Sequence, residues 1–344
     1  MAQRQVDRVD ETMVEQLRTR VAASVAQWRA GSRLTRLEPL TGGTSSLTFV
    51  MEVVGPAGDT TPAVLKVAPP GLEPVRNRDV LRQARLQRSL EGSERPIAPA
   101  LFFSEPGLSL DEPPYLAMEL VAGDCVEPTL TDEALPAAQV QARELDAVGV
   151  LAALHAIVPD RVGLAAEPVT QLSAEVERWI KAFTTLPVQM QGDYERAGQL
   201  LLDTAPEALP PVINHGDYRL GNALCAGDRV NAVIDWEIWS VGDPRVDLSW
   251  MAYFLDDADH PAVVPGWHAG TLSRGELVSA YESAAGRTMP AMDWFHALTR
   301  FKEASITGLL IKRADKLNRP LIPSMERMRP ALPRLVQETI ELIG

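Results

Sequence analysis

The sequence predicts an α+β fold in two lobes, a strand-rich first third followed by a mainly helical remainder. Between Leu34 and Val121, short runs of β-branched and aromatic residues are cut by Gly and Pro turns. After Gly123 apolar residues recur at helical spacing over long stretches. A length of 344 residues suits two domains or one two-lobed domain.

Taken in order, Met13, Leu17, Val21, Val25 and Trp28 recur at helical spacing and predict a leading amphipathic helix from about Asp10 to Trp28. Leu34–Leu40 and Leu47–Val54 follow as strand-like runs, the second closed by Gly55-Pro56. Pro62–Ala68 is another short strand, ended by Pro69-Pro70, and Asn77–Leu90 reads as helix. Leu101–Phe103 and Tyr115–Val121 look like two further strands. Helical patterns then cover about Ala134–His155, Leu172–Leu186, Tyr194–Thr204, Leu277–Ala285 and Asp293–Lys312. Pro211–Val246 stands apart, with two short strand-like runs among turn residues. A lobe boundary at Val121–Gly123 divides the chain into 1–121 and 122–344. There is no internal repeat and no low-complexity tract.

Charge excludes some partners. With 33 basic and 46 acidic residues the net charge is −13, which repels phosphate backbones. Nucleic acid and anionic membranes are therefore not expected partners. An acidic surface attracts a cationic substrate, but it is more often a solubility device. The two cysteines, Cys125 and Cys225, form no CxxC motif and read as reduced structural thiols. The N-terminus, MAQRQVDRVDETMVEQL, lacks the apolar core of a signal peptide, and no run of about 18 apolar residues occurs. A cytoplasmic protein is expected.

The chemistry concentrates in Val212-Ile-Asn-His-Gly-Asp217-Tyr-Arg-Leu-Gly-Asn222, followed by Val230-Asn-Ala-Val-Ile-Asp235-Trp-Glu237. An apolar strand leads into an acid, an amide lies five residues on, and a second apolar strand delivers another acid. Phosphoryl transfer needs these types: one carboxylate to hold the acceptor hydroxyl and take its proton, and hard oxygen ligands to hold Mg²⁺ on nucleotide phosphates. Taken alone, the same residues read as a capped tight turn, since Asp and Asn favour turns.

HGDYRLGN resembles the HGDxxxxN catalytic loop of aminoglycoside phosphotransferases and related small-molecule kinases, and VIDWE resembles their metal-binding segment. The resemblance runs through most of the chain. TGGTSSLTFVMEV is similar to the nucleotide loop, AVLKVA to the phosphate-binding lysine strand and YLAMELVAG to the hinge. LAALHAI and WEIWSVGDPRVDLSW fit as well. The tail AYESAAGRTMPAMDWFHALTRFKEASI resembles a subgroup related to the kinase-like domains fused to some acyl-CoA dehydrogenases.

The resemblance implies a bilobal protein-kinase-like fold, with an antiparallel-sheet N-lobe and a helical C-lobe. It also implies ATP and Mg²⁺ as cofactors and a small-molecule hydroxyl compound as substrate. Asp217 is then the catalytic base or hydroxyl-positioning residue, and Asn222 and Asp235 are the metal ligands. Lys66 contacts the nucleotide phosphates, the backbone of Gly42, Gly43, Thr44, Ser45 and Ser46 covers them, and Glu119 to Val121 line the adenine hinge. Arg219 either neutralises charge on the transferring phosphoryl group or pairs with a surface acid. Glu237 assists the metal site or holds the loop. His215 orients the loop, Asp243 opens a turn and Asp247 braces the catalytic loop from the following helix. His155, Trp236, Trp239 and Trp250 are packing residues, one of the tryptophans within reach of substrate.

One position departs from the pattern. Kinases pair the strand lysine with a helix glutamate, and the aligned helix here carries Gln83. Asp79, Glu73 or the nucleotide phosphates themselves are the expected anchors of Lys66. Two other readings stand beside the leading one: a kinase of hydroxyacyl thioesters or related metabolites, and a nucleotide-binding pseudoenzyme or scaffold. Oligomeric state, ATP against GTP, and substrate identity are not legible in the sequence.

Overall fold

A computed structural model describes residues 11–40, 46–93, 95, 97–131, 135–255 and 260–344 of the chain. Two compact units result, one of Met1–Ala122 with Ala232–Ile238, the other of Gly123–Asn231 with Trp239–Gly344.

In the first unit, β1 (Arg33–Leu40), β2 (Leu47–Val54), β3 (Thr60–Val67), β4 (Leu101–Glu105) and β5 (Tyr115–Glu119) form one antiparallel sheet, ordered β1-β2-β3-β5-β4. The period-2 alternation of β2 is complete: Leu47, Phe49, Met51 and Val53 are buried and the residues between them half-buried. Helix α1 (Glu11–Trp28) lays Leu17, Val21 and Val25 on that face, and Trp28 stacks on Phe102 at 4.6 Å. Each fully buried side chain of this kind contributes about 1.5–3 kcal/mol relative to exposure.

The alternation of β3 buries Ala63, Leu65 and Val67 in this core and turns Val64 and Lys66 to the other face. Helix α2 (Val80–Ser89) covers that second face through Val80 and Ala84, which meet Leu116 and Met118 of β5. The helix starts three residues later than the expected Asn77, because the Asp79 carboxylate accepts the Arg82 N–H at 2.9 Å and caps it there.

The second unit is helical: α3 (Ala137–Ala156), α4 (Leu172–Phe183), α5 (Tyr194–Asp203), α6 (Arg245–Phe254), α7 (Arg274–Ala285), α8 (Met292–Lys316), α9 (Pro323–Met328) and α10 (Leu332–Ile343). The core is centred on α8, whose Phe295, Phe301 and Ile311 cluster with Val176 and Phe183 of α4, Leu201 of α5 and Leu335 and Val336 of α10. The stretch between Pro211 and Val246 holds four short strands where two were expected: β6 (Val212–Asn214), β7 (Ala223–Ala226), β8 (Arg229–Val233) and β9 (Ser240–Gly242). β6 pairs with β9 and β7 with β8. At Ala232, inside β8, the chain passes into the first unit, and it returns after Ile238. Among the described residues no helix is long and apolar enough to cross a membrane.

Candidate functional site

In the first unit the candidate residues are Lys66, Gln83, Asp235, Ser46, Glu119 and Val121. Gly42, Gly43, Thr44 and Ser45 lie outside the described residues, while Ser46 is buried at the start of β2. Lys66 Nζ donates to Asp235 Oδ1 at 3.1 Å, and Gln83 Oε1 lies 3.5 Å from the same ammonium. The expected anchors, Asp79 and Glu73, do not supply this carboxylate: Asp79 is committed to the cap of α2, and Asp235, 169 residues from Lys66, takes the place.

Asp235 is held from both sides of the chain. The Val233 N–H donates to Ile97 O at 2.9 Å, and Trp236 Nε1 donates back to Val233 O at 2.7 Å. The turn Trp236–Ile238 lies against residues 76–78 and α2. Asp235 has φ 68°, left-handed backbone that Asp tolerates better than most residues. Its side chain is 46% exposed, and that of Lys66 12%. At the end of β5, the Glu119 N–H is taken by Ala100 O at 2.9 Å.

In the second unit Asp217, Arg219 and Asn222 meet in one loop between β6 and β7. Asp217 is surrounded by donors. Its Oδ1 accepts Trp250 Nε1 at 2.7 Å and Arg219 Nε at 3.2 Å, and its Oδ2 accepts Asn222 Nδ2 at 2.8 Å. Asn222 Nδ2 also donates to Asp217 O at 2.9 Å. With its amide nitrogen so committed, Asn222 has its side-chain carbonyl oxygen left over, a donor type that suits a hard cation. Asn222 Oδ1 and the Asp235 carboxylate are thus the right donor types for Mg²⁺. Among the described residues no group of three or more His, Cys, Asp and Glu gathers as a metal site.

Helix α6 holds the loop from one face. Asp247 Oδ2 accepts the His215 N–H at 2.5 Å and its Oδ1 accepts the Gly216 N–H at 2.8 Å. One turn on, Trp250 reaches Asp217, so residues at i and i+3 of one helix grip three consecutive loop residues. Burial works against an ionised Asp247, yet the His155 ring beside it, His215 and the Gly216 N–H together hold its pKa below the usual carboxylate range. Lys302 of α8 donates to Gly216 O at 2.8 Å from 4.0 Å over the Trp250 ring, and burial lowers its pKa.

Arg219 does not pair with a surface acid. It lies between Asp217 and the buried Glu127, whose Oε2 is 3.4 Å from Nη1, and its guanidinium sits 5.3 Å over Phe254. Glu127 Oε2 also accepts the Gly221 N–H at 3.0 Å. Burial pushes the Glu127 carboxyl up to about 7, against the pull of Arg219 and the Gly221 N–H. A Cβ at Gly221 would stand 2.1 Å from Arg219 Nη1, so the absence of a side chain there makes the clamp possible.

Trp250 and Glu127 are contacts that sequence reasoning missed. The signal for Trp250 was its three-residue offset from Asp247; Glu127 lies 90 residues before Asp217 and gave none. Asp243 is structural, as expected: its carboxylate takes three bonds from Arg245, at 3.0, 2.9 and 2.7 Å, and one from the Leu209 N–H.

Residues 36–295 match the model of the Phosphotransferase enzyme family. An Arabidopsis thaliana protein carrying the name acyl-CoA dehydrogenase IBR3 is 27% identical over 293 residues, 78% of this chain and 35% of that protein. The chain spans about a third of the length of the curated relatives it matches. Among solved structures, a provisionally assigned aminoglycoside phosphotransferase from Ralstonia eutropha superposes with a TM-score of 0.72 at 21% identity, over 94% of this chain and 97% of that one. ADP-bound aminoglycoside phosphotransferase APH(2'')-Ib does so at 0.55 and 17%, over 97% and 99%. These structural likenesses are likenesses of fold.

Proposed function

The chain belongs to the Phosphotransferase enzyme family, and from that premise we propose that it moves the γ-phosphoryl group of ATP to a hydroxyl of a small molecule. The observation that carries this reading is the Asp217 carboxylate, oriented by Trp250, Asn222 and Arg219 on a loop that Asp247 grips from α6. Asp217 orients the acceptor hydroxyl and takes its proton as the new P–O bond forms. Its three donors fix the direction in which the carboxylate points.

Asn222 and Asp235 would hold Mg²⁺, which when bound neutralises charge on the nucleotide phosphates. Lys66 contacts those phosphates. The hinge at Glu119 to Val121 receives the purine; with the Glu119 N–H already bonded to Ala100 O, the base meets the Glu119 carbonyl or the groups of Val121 instead. Residues Gly42 to Ser46 cover the phosphates. Arg219, shared between two carboxylates, acts on Asp217 and the loop.

For the acceptor, an aminoglycoside-like or other natural-product hydroxyl is the first reading, supported by the names of the structural neighbours. The acyl-CoA dehydrogenase names of the curated relatives favour a second, a hydroxyacyl thioester or related metabolite. A pseudoenzyme or scaffold is the reading of another class, and an intact Asp217, Asn222, Asp235 and Lys66 set speaks against it. Turnover of Mg·ATP against a panel holding both acceptor classes is the test. Phosphorylated product supports the kinase reading, and nucleotide binding without product from any compound supports the scaffold.

A further inference from the structure

The lysine of β3 lacks the partner its position calls for. Gln83 faces it from α2, only 3% exposed, and its Oε1 stands at the limit of a hydrogen bond, 3.5 Å from Nζ. The amide nitrogen, Nε2, is buried without a hydrogen-bond partner among the described residues. A neutral side chain thus offers Lys66 a weak contact and no charge, and the ammonium binds Asp235 Oδ1 at 3.1 Å. The chain on either side of Asp235 is tied down by the Val233 N–H to Ile97 O bond and by Trp236 Nε1 to Val233 O, which keeps the residue beside Lys66.

We infer that Gln83 is a positioning residue. By withholding a carboxylate from Lys66 it leaves the lysine on Asp235 Oδ1, so that Lys66 and a divalent cation compete for the same carboxylate. The cation then binds more tightly once nucleotide phosphates draw the ammonium away, which couples metal and nucleotide binding. The inference rests on the reading of Asp235 as a metal ligand. It also explains why a chain with glutamine at this position keeps the lysine in place: Asp235 orients it until the nucleotide arrives.

The test is Mn²⁺ binding to the full chain without nucleotide, followed by electron paramagnetic resonance of the free ion. Lys66→Met removes the competitor, and Gln83→Glu gives it another carboxylate. Each is expected to tighten Mn²⁺ binding about two- to fivefold, the worth of a half-exposed ion pair. A long-range charge effect would produce the same sign, so the double variant decides. In the Lys66→Met background there is no competitor left to capture, and Gln83→Glu is expected to add nothing.

Additive tightening in the double variant overturns the competition. So does unchanged Mn²⁺ affinity in both single variants, including the case where none binds detectably. Lys66→Gln replaces Lys66→Met should the latter not fold. Asp235→Asn separates the two levels of the claim: loss of Mn²⁺ binding is expected, while full retention overturns the metal assignment itself and the competition with it.

Discussion

Trp250 Nε1 donates to Asp217 Oδ1 at 2.7 Å, and the helix that carries this indole holds the two preceding loop residues through Asp247. A tryptophan in the core thereby sets the direction of the carboxylate proposed to position the acceptor hydroxyl. Trp250→Phe keeps the ring and removes the N–H. A hydrogen bond to a charged group contributes about 1.5–3 kcal/mol, so kcat is expected to fall roughly 10- to 100-fold with Mg·ATP affinity retained. Steady-state kinetics with nucleotide titration check this, and an unchanged kcat would remove Trp250 from the account.

Gly221 tests the clamp on Arg219. The added methyl of Gly221→Ala displaces the guanidinium from between Asp217 and Glu127. The expected signature is a fall in kcat of about tenfold or more, with a melting temperature within a few degrees of wild type, since surplus volume at a loop rim costs about 1–3 kcal/mol. Arg219→Lys, which cannot make the forked contact, is expected to reproduce the kinetic loss.

Asp243 and Arg245 give a stability prediction away from the chemistry. Both side chains are 1% exposed, and Arg245 also lies 4.3 Å over Phe295. Asp243→Ala leaves a buried guanidinium without its counter-charge, and loss of about 3–5 kcal/mol is expected by chemical denaturation. A loss under about 1 kcal/mol would contradict the pairing.

Acidification acts through buried histidines. Burial pushes His260 down to about 3 and His296 down to about 4, against an ordinary value of 6.5. Between pH 6.5 and about 4 the unfolded chain therefore binds protons that the folded chain refuses, and stability falls with falling pH, by up to about 1.4 kcal/mol per pH unit for each ring. Glu127 has the opposite sign: raised to about 7, it binds a proton in the folded state first, which favours folding as pH falls from 7 toward 4.5. His296→Gln is expected to flatten the acid limb of a melting-temperature profile and Glu127→Gln to steepen it. A profile that neither variant alters would contradict both assignments.

Much of the fold was legible because it is written in local pattern. The alternation of Leu47, Phe49, Met51 and Val53 marks β2 directly, and the same period separates Lys66 from Leu65 and Val67. The loop acids and amide declared themselves by spacing. What stayed hidden depends on contacts distant in sequence: Lys66 with Asp235, Arg219 with Glu127, Asp217 with Trp250. The last two helices were not among the expected elements: Pro323 and Pro333 each sit in the first turn of a helix, where no N–H is needed.

The most direct measurement is transfer of labelled γ-phosphoryl from ATP, in the presence of Mg²⁺, to a panel of hydroxyl compounds by wild type and Asp217→Asn. The expected result is a phosphorylated product with wild type and a kcat lower by roughly 10²–10⁴-fold in the variant, with Mg·ATP affinity preserved. Equal turnover by the two proteins, or wild type that binds Mg·ATP yet phosphorylates no compound, would contradict the account.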